Sequence, residues 1–390
     1  MMQMALAYLP AFGSGLGHVS RLSIIARELQ LNGFDVRFSS FGEGAKYLRE
    51  VGFECDTCPE MDVGLTDGKV SLKKTTLGFP SMMASFAKQV RFEMKNMAAL
   101  KPKVVCNDSR LSSVIAASRK HIPCITMLNQ IRIRMPESGL SRVSSIGEET
   151  MAELLGRAWA LSKEILVPDL APPYTICEKS ISDISSISKK VNYVGFIVKK
   201  KEFKNSELAK LRSTFGINGS KVFFAQISGP AGTREGAVRK VIEASKRANG
   251  DFSLIISGGI VGGKTEPMKI GNSWYFEWCP IRDELFALAD YSIGRGGHST
   301  IAQSLCYGKP MIIIPIEKHS EQIGNGSKVS ELGAGICIKA EDLKTKTLLE
   351  SAEQISSDDK YTKSARKIAE IAENYNGPLN ATKAVLSACD

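Results

Sequence analysis

Residues 311–316 read Met-Ile-Ile-Ile-Pro-Ile, a continuous apolar run set between Gly308-Lys309-Pro310 and a polar stretch, 317–326. A short run without polar alternation is apolar on both faces, which is the signature of a strand buried inside a parallel sheet. The residues before it define its neighbours. Tyr291–Ile293 ends a short strand, and Gly294, Gly296 and Gly297 form a loop where backbone can approach a ligand closely. Ser299–Tyr307 fits a helix, with Ser299 or Thr300 as N-cap and Gly308 then Pro310 as the stop. Two strand–loop–helix units in series thus bring glycines, hydroxyls and Arg295 to a helix N-terminus beyond the carboxyl end of a strand. Free N–H groups and the helix dipole favour an anion there, and open α/β sheets take their ligands at that edge.

The N-terminus repeats the theme. Met4–Leu9 reads as a strand and runs into Gly13-Ser14-Gly15-Leu16-Gly17-His18; Val19–Leu31 then carries Leu22, Ile25, Ala26 and Leu29 at helical spacing. Asp35–Phe41 is the next strand. Strand, Gly-rich loop, helix, strand opens a Rossmann-like half. Dinucleotide binding is disfavoured, because Ser39-Ser40 stand where an acidic residue would grip the ribose. Further strands are expected at Lys103–Asn107, Pro123–Leu128, Glu164–Val167, Val222–Ile227, Leu254–Ser257 and Trp274–Glu277. Helices are expected at Leu111–Lys120, Thr150–Lys163, Glu235–Arg247, Arg282–Ala289, Tyr361–Asn374 and Leu379–Ala388, and a second domain begins at Leu208–Phe215.

At 390 residues the chain suits two domains of ordinary size, and 43% hydrophobic content excludes a disordered chain. Nine cysteines without a second CxxC to partner Cys55 and Cys58 point to a reducing compartment and to no metal site. No apolar run approaches membrane-spanning length, and the first apolar run lacks a basic flank, so no signal peptide is expected. The net charge of +10 implies an anionic partner: nucleotide, nucleic acid or membrane surface. Nucleic acid is not expected, since no basic patch is interleaved with stacking aromatics. Residues 69–103 hold eight lysines and arginines against one acid, Glu93, with apolar residues between them. That segment fits an anionic membrane surface or a pair of ordinary helices with solvated lysines.

The stretch from Tyr291 to Gly326 resembles the donor-binding signature of GT-B glycosyltransferases that use UDP-sugars. It is similar to the peptidoglycan lipid-intermediate N-acetylglucosaminyltransferase and to the UDP-glucuronosyl and UDP-glucosyltransferase group. The matching residues are Arg295, Gly297, Ser299, Thr300, Gln303, Gly308 with Pro310, and Glu321 with Gln322. Gln303 stands where the family has a Glu that binds the ribose, so the charge gripping both hydroxyls is missing. The resemblance implies an α/β GT-B fold, two Rossmann-like parallel-sheet domains facing a deep cleft. The first, 1–195, would bind the acceptor and the second, 196–360, the UDP-sugar; helices in 361–390 would return to the first or stay with the second.

It further implies an inverting, metal-independent transferase without a cofactor, the UDP-sugar being co-substrate. Gly15, Gly17 and Asn129 would line the acceptor side. His18 would be the general base and Asp108 its orienting carboxylate; alternatively His18 packs against the loop or caps the helix, and Asp108 is a helix N-cap. Ser228 and Arg234 would lie near the donor phosphates, Trp278 and Ile281 near uracil, and His298 in the donor loop. The expected location is the cytoplasm, with membrane contact on its inner face if the acceptor is lipid-linked. A sugar-nucleotide 2-epimerase and a non-catalytic nucleotide-sugar binder remain as alternatives.

Overall fold

The computed structural model describes residues 4–60, 65–66, 69–70, 79–132, 141–217, 221–229, 231–247 and 252–389. The chain divides into two compact units, 1–197 with 375–390, and 198–374.

In the first unit the elements run β1 (Ala5–Pro10), α1 (Gly17–Leu31), β2 (Phe34–Ser40), α2 (Gly42–Glu50), β3 (Cys55–Thr57), a small hairpin of β4 (Leu65–Thr66) and β5 (Lys69–Val70), α3 (Phe79–Leu100), β6 (Val104–Asp108), α4 (Leu111–Arg119), β7 (Cys124–Met127), α5 (Ser141–Trp159), β8 (Glu164–Val167), α6 (Glu178–Ile181) and β9 (Val191–Tyr193). Seven strands form one sheet in the order β3-β2-β1-β6-β7-β8-β9, and every pairing in it is parallel. Burial on both faces explains the apolar run of β1 and of the first three residues of β6. The α1 face carrying Val19, Leu22, Ile25, Ala26 and Leu29 is fully buried in the core. Ala381 and Val385 of the last helix of the chain, with Ala388 at its C-cap, belong to that same core.

The second unit runs α7 (Asn205–Thr214), β10 (Lys221–Gln226), α8 (Ala231–Arg247), β11 (Phe252–Ser257), β12 (Met268–Ile270), β13 (Ser273–Phe276), α9 (Arg282–Leu288), β14 (Tyr291–Gly294), α10 (His298–Cys306), β15 (Met311–Ile313), α11 (Ser320–Glu331), β16 (Gly335–Cys337), α12 (Thr345–Ser357) and α13 (Asp359–Tyr375); α14 (Gly377–Ser387) follows in the first unit. Its sheet order is β12-β13-β11-β10-β14-β15-β16. All of these pairings are parallel except β12 with β13. The apolar run at 311–314 is fully buried, as a strand flanked on both sides requires.

Several boundaries differ from expectation. The helix expected from Thr150 begins at Ser141. The helix expected from Glu235 begins at Ala231, which places Arg234 inside its first turn. Of the polar loop expected at 317–326, all but Glu317, Lys318 and His319 is the start of α11, and His319 is its N-cap. The cap of α10 is Gly297, with extended backbone at φ −66° and ψ 133°, in place of Ser299 or Thr300. In the basic segment, Lys73, Lys74 and Leu77 lie outside the described residues. From Phe79 onward it is one helix, which buries Gln89, Glu93 and Met97 at a spacing of four and exposes Lys88, Arg91 and Lys95. No helix among the described residues is long and apolar enough to cross a membrane.

The Gly-rich loop is shaped by close backbone contact. A Cβ at Gly13 would lie 2.1 Å from the Phe41 carbonyl oxygen, whereas Gly15, at φ +81°, has open space around it. Gly13→Ala should therefore destabilise the protein by about 3 kcal/mol or more, through a clash only backbone movement can relieve. Gly15→Ala should cost about 1 kcal/mol, the backbone-conformational term alone. Urea unfolding of both variants measures this, and equal losses would show that the packing at Gly13 is not what holds the loop.

Candidate active site

In the first unit the strand order reverses between β1 and β6, so the chain leaves these two strands in opposite directions and opens a crevice at their carboxyl ends. The two ends are locked together: Ala11 is bridged to Asp108, and the Phe12 N–H donates to the Asp108 carbonyl at 3.0 Å. His18 is the second residue of α1, and its Nδ1 lies 2.7 Å from Asp108 Oδ1. The His18 side chain is 25% exposed and that of Asp108 is fully buried. Arg21, three residues along the same helix face, donates from Nε to Asp108 Oδ2 at 2.6 Å and from Nη2 to Oδ1 at 2.8 Å. Its Nη2 also donates to Asn129 Oδ1 at 2.7 Å. Ser109, in the left-handed region at φ 55°, donates its hydroxyl to Asp108 Oδ1 at 3.1 Å.

The protonation pattern follows from these donors. Burial alone would raise the Asp108 carboxyl, but the charges and hydrogen bonds of Arg21 and His18 outweigh it and hold the group down at about 2. An ionised carboxylate only accepts, so His18 Nδ1 carries a proton and Nε2 is left as the basic nitrogen of the neutral ring. Arg21 Nη2 also comes within 3.2 Å of His18 Nδ1. With protons on both atoms that approach is a contact, and the shorter bond to Asp108 decides the tautomer. Asp108 is not the cap of α4; that position is Arg110. The edge of the Phe12–His18 ring pair, at 81° and 5.6 Å, fixes the imidazole from its other side.

Below the crevice lies a second buried ion pair. Arg110 Nη2 donates to Glu93 Oε1 at 2.6 Å, and Glu93 also receives the Tyr8 hydroxyl at 2.7 Å and the Ser39 hydroxyl at 3.0 Å. Arg110 Nη1 donates to the Ala11 carbonyl at 3.0 Å, as does the Ser40 hydroxyl at 3.1 Å. The two serines that stand in place of a dinucleotide-binding acid thus anchor the root of the Gly-rich loop.

In the second unit the order reverses between β10 and β14. Ser228 follows β10, and Arg295, Gly296 and Gly297 follow β14 into α10. Arg295 is buried, with 7% of its surface exposed. Its Nε has no hydrogen-bond partner among the described residues. Burial lowers it to about 10, so it stays cationic at neutral pH. The loops around it abut. A Cβ at Gly296 would lie 2.8 Å from the Gln322 carbonyl oxygen, and Asn325 Nδ2 donates to the Gly296 carbonyl at 3.1 Å. Arg234 Nη1 donates to the Gly259 carbonyl at 2.8 Å, and Gln322 Oε1 accepts the Ile316 N–H at 2.9 Å.

The structure therefore gathers Gly15, Gly17, His18, Asp108 and Asn129 at one crevice, and Ser228, Arg295, Gly297, His298, Ser299 and Thr300 at another. Glu321 and Gln322 lie in the first turn of α11. The Arg234 guanidinium and the Gln322 amide oxygen are engaged in holding loops. Gln303 donates from Nε2 to Asp283 Oδ1 at 2.7 Å, and Lys201 Nζ lies 3.1 Å from the other Asp283 oxygen. The Trp278 backbone N–H donates to the Lys264 carbonyl at 3.1 Å, and Ile281 packs against the cluster that contains Phe215 and Phe276. Sequence reasoning passed over Arg21, whose only signal is its spacing of three from His18 on a helix. It also passed over Asp283 and Asn325, whose partners lie 20 and 29 residues away.

The Asp108 carboxyl is lower in the folded chain than in the unfolded one, so it contributes stability that is complete above the unfolded value near 4 and disappears as pH falls through about 2. The stability difference between wild type and Asp108→Asn should therefore shrink by about 2 kcal/mol between pH 5 and pH 2. Urea titrations at a series of pH values measure it, and a pH-independent difference would contradict the charge pairing.

Comparison with known proteins closes on the same architecture. Residues 8–158 match the family model described as glycosyl transferase family 1, and residues 243–377 match the glycosyltransferase family 28 C-terminal domain. An uncharacterized glycosyltransferase of Methanosarcina acetivorans is 26% identical over 388 residues, covering 95% of each chain. The UDP-N-acetylglucosamine--N-acetylmuramyl-(pentapeptide) pyrophosphoryl-undecaprenol N-acetylglucosamine transferase of Geobacillus kaustophilus is 27% identical over 46% of this chain and 51% of its own. The crystal structure of the glycosyltransferase SnogD from Streptomyces nogalater matches with a TM-score of 0.67 at 18% identity, covering 99% of this chain and 100% of that one. Spinosyn rhamnosyltransferase SpnG complexed with thymidine diphosphate matches at 0.65 and 14% identity, over 95% and 96%. These likenesses do not favour the epimerase alternative. Two parallel-sheet units, each matched by a glycosyltransferase family model, identify the chain as a GT-B glycosyltransferase, an enzyme of the transferase class.

Proposed function

We propose that the chain transfers a glycosyl group from a UDP-sugar to an acceptor hydroxyl with inversion at the anomeric carbon. The observation that carries this reading is the His18–Asp108 pair, with a protonated Nδ1 and a basic Nε2 on a part-exposed ring. In this reading His18 Nε2 takes the acceptor hydroxyl proton as the oxygen attacks the anomeric carbon. The bond to the diphosphate breaks on the opposite face, and its electron pair leaves on the UDP oxygen. Asp108 stabilises the imidazolium that forms. Arg295 and the first turn of α10 would take up the charge on the departing diphosphate, work that needs no metal. A buried guanidinium whose Nε has no partner among the described residues supports that role, because an anion would supply the missing partner.

Likeness to an enzyme named for UDP-N-acetylglucosamine and a pyrophosphoryl-undecaprenol supports UDP-N-acetylglucosamine as the first donor to try and a lipid-linked acceptor. The exposed Lys88, Arg91 and Lys95 of α3 would then meet an anionic membrane surface from the cytoplasmic side. A thymidine-diphosphate sugar is the second reading. Gln303 spends its amide nitrogen on Asp283, leaving one acceptor atom for a ribose, and a structural neighbour is complexed with thymidine diphosphate.

Calorimetry with UDP and thymidine diphosphate separates the two donors. Arg295→Ala should weaken the preferred nucleotide by about 1–3 kcal/mol, the usual loss for a charged hydrogen bond; unchanged affinity would remove Arg295 from the site. With a working acceptor, His18→Ala should lower turnover about 10²–10⁴-fold with the fold intact. Full activity in that variant would end the general-base reading, and tight donor binding without turnover on any acceptor would favour a non-catalytic binder.

A further inference from the structure

We propose that Arg21 is the positioning residue of the His18–Asp108 pair: its guanidinium holds both carboxylate oxygens, so that Asp108 offers the imidazole a single acceptor in a single orientation. The inference rests on the reading of His18 as general base, and it assigns a role to a side chain that bonds to Asp108 and meets the imidazole only at Nδ1, the nitrogen that does not take the acceptor proton.

The geometry is that of a fork closed on both prongs. Arg21 Nε and Nη2 meet Asp108 Oδ2 and Oδ1 at 2.6 and 2.8 Å. A carboxylate rotates easily about its last torsion, which is broad and roughly two-fold. A bidentate guanidinium removes that freedom, because both oxygens must lie in its plane. The plane is itself fixed from a third direction, since Nη2 also donates to Asn129 Oδ1 at 2.7 Å beyond the end of β7. The Arg21 and Asp108 side chains are only 4% and 0% exposed, so water cannot substitute for the fork. His18 is the part-exposed member of the cluster, at 25%. Its Nδ1 meets the one carboxylate oxygen that the fork leaves pointing at it.

A salt bridge with a purely scaffolding role is available in the same unit for contrast. Arg110 and Glu93 are equally buried, yet their partners are Tyr8, Ser39, Cys58 and the Ala11 carbonyl, and none of these is a part-exposed titratable ring. The Arg21 pair differs in that it ends on such a ring, three residues away on the same helix. Removing the fork frees Asp108 to turn toward Ser109, whose hydroxyl is already 3.1 Å from Oδ1. The imidazole then loses the acceptor that selects its Nδ1–H form, and part of the population carries its proton on Nε2, where it cannot act as base.

The test uses the full chain labelled with ¹³C and ¹⁵N in histidine. There are four histidines, so a His18→Ala spectrum assigns the ring. Wild type should show one His18 tautomer, protonated at Nδ1 and bare at Nε2. Arg21→Gln should show both tautomers in exchange, and UDP release from UDP-N-acetylglucosamine should fall about tenfold or more in kcat with KM nearly unchanged, since a wrong tautomer in a His–carboxylate pair can cost up to about 10⁴. Arg21→Lys keeps the charge and loses the fork, and should fall between the two. A folded Arg21→Gln with the single wild-type tautomer would overturn the proposal. If that variant does not fold, Arg21→Lys decides: wild-type tautomer and wild-type kcat together overturn it. Tautomer mixing without any loss of turnover would support the positioning role and sink the general-base reading instead.

Discussion

A parallel sheet cannot be built with tight turns: each strand must be re-entered from the same end, so a helix carries the chain back between strands. Every strand-to-helix loop therefore emerges along one edge. Where the strand order reverses, two such loops part and leave a crevice that neither helix layer covers. Both units of this chain reverse once, between β1 and β6 and between β10 and β14. The residues with chemistry collect there for that reason. His18 follows β1, Asp108 ends β6, Ser228 follows β10 and Arg295 follows β14.

Placing polar groups at such an edge puts charges against apolar strands, and the first unit resolves this with two buried ion pairs. Arg21–Asp108 lies at the crevice, and Arg110–Glu93 lies beneath it. Burial pushes the Glu93 carboxyl up, while Arg110, Tyr8 and Ser39 pull it back toward ionisation. Such pairs add little net stability, because desolvation offsets most of the attraction, but removing one partner leaves an uncompensated charge at a cost of about 3–5 kcal/mol. Their effect is to hold positions. Arg110 reaches the Ala11 carbonyl, so the lower pair also fixes the start of the Gly-rich loop that leads to His18. Arg295 in the second unit is the contrasting case, a buried cation whose Nε has no partner among the described residues.

Parallel strands were legible because burial on both faces leaves unbroken apolar runs, as at 311–314, and because glycines mark where strands give way to helices. Helix starts were less legible. Gly297 caps α10 although Ser299 and Thr300 are the better capping residues by type, since the tight approach of Gly296 to the Gln322 carbonyl brings the chain into the helix two residues early. The polar composition of 317–326 concealed the first turns of α11, in which Gln322, Asn325 and Gly326 are buried ahead of Lys328 and Val329. Polar side chains are buried there because they hydrogen-bond to neighbouring loops, a reason that no local pattern records.

The sequence by itself determined the α/β class, the helix-and-strand alternation that makes the sheets parallel, and the identity of the groups able to carry charge or a proton. These follow from periodicity and from side-chain chemistry, which are local. Only the tertiary structure decided which of those groups meet. His18 and Asp108 are 90 residues apart, and Arg21 and Asn129 are 108 apart. Their contacts exist because β1, β6 and β7 lie side by side, which is a property of strand order. The same is true of the tautomer of His18 and the ionisation of Asp108, since a proton's position is set by the neighbours that share it. Gln303, a glutamine beside no acid in the chain, has its amide turned by Asp283 across a helix-to-helix contact. Spacing can propose such partners, but only the fold brings their atoms within bonding distance.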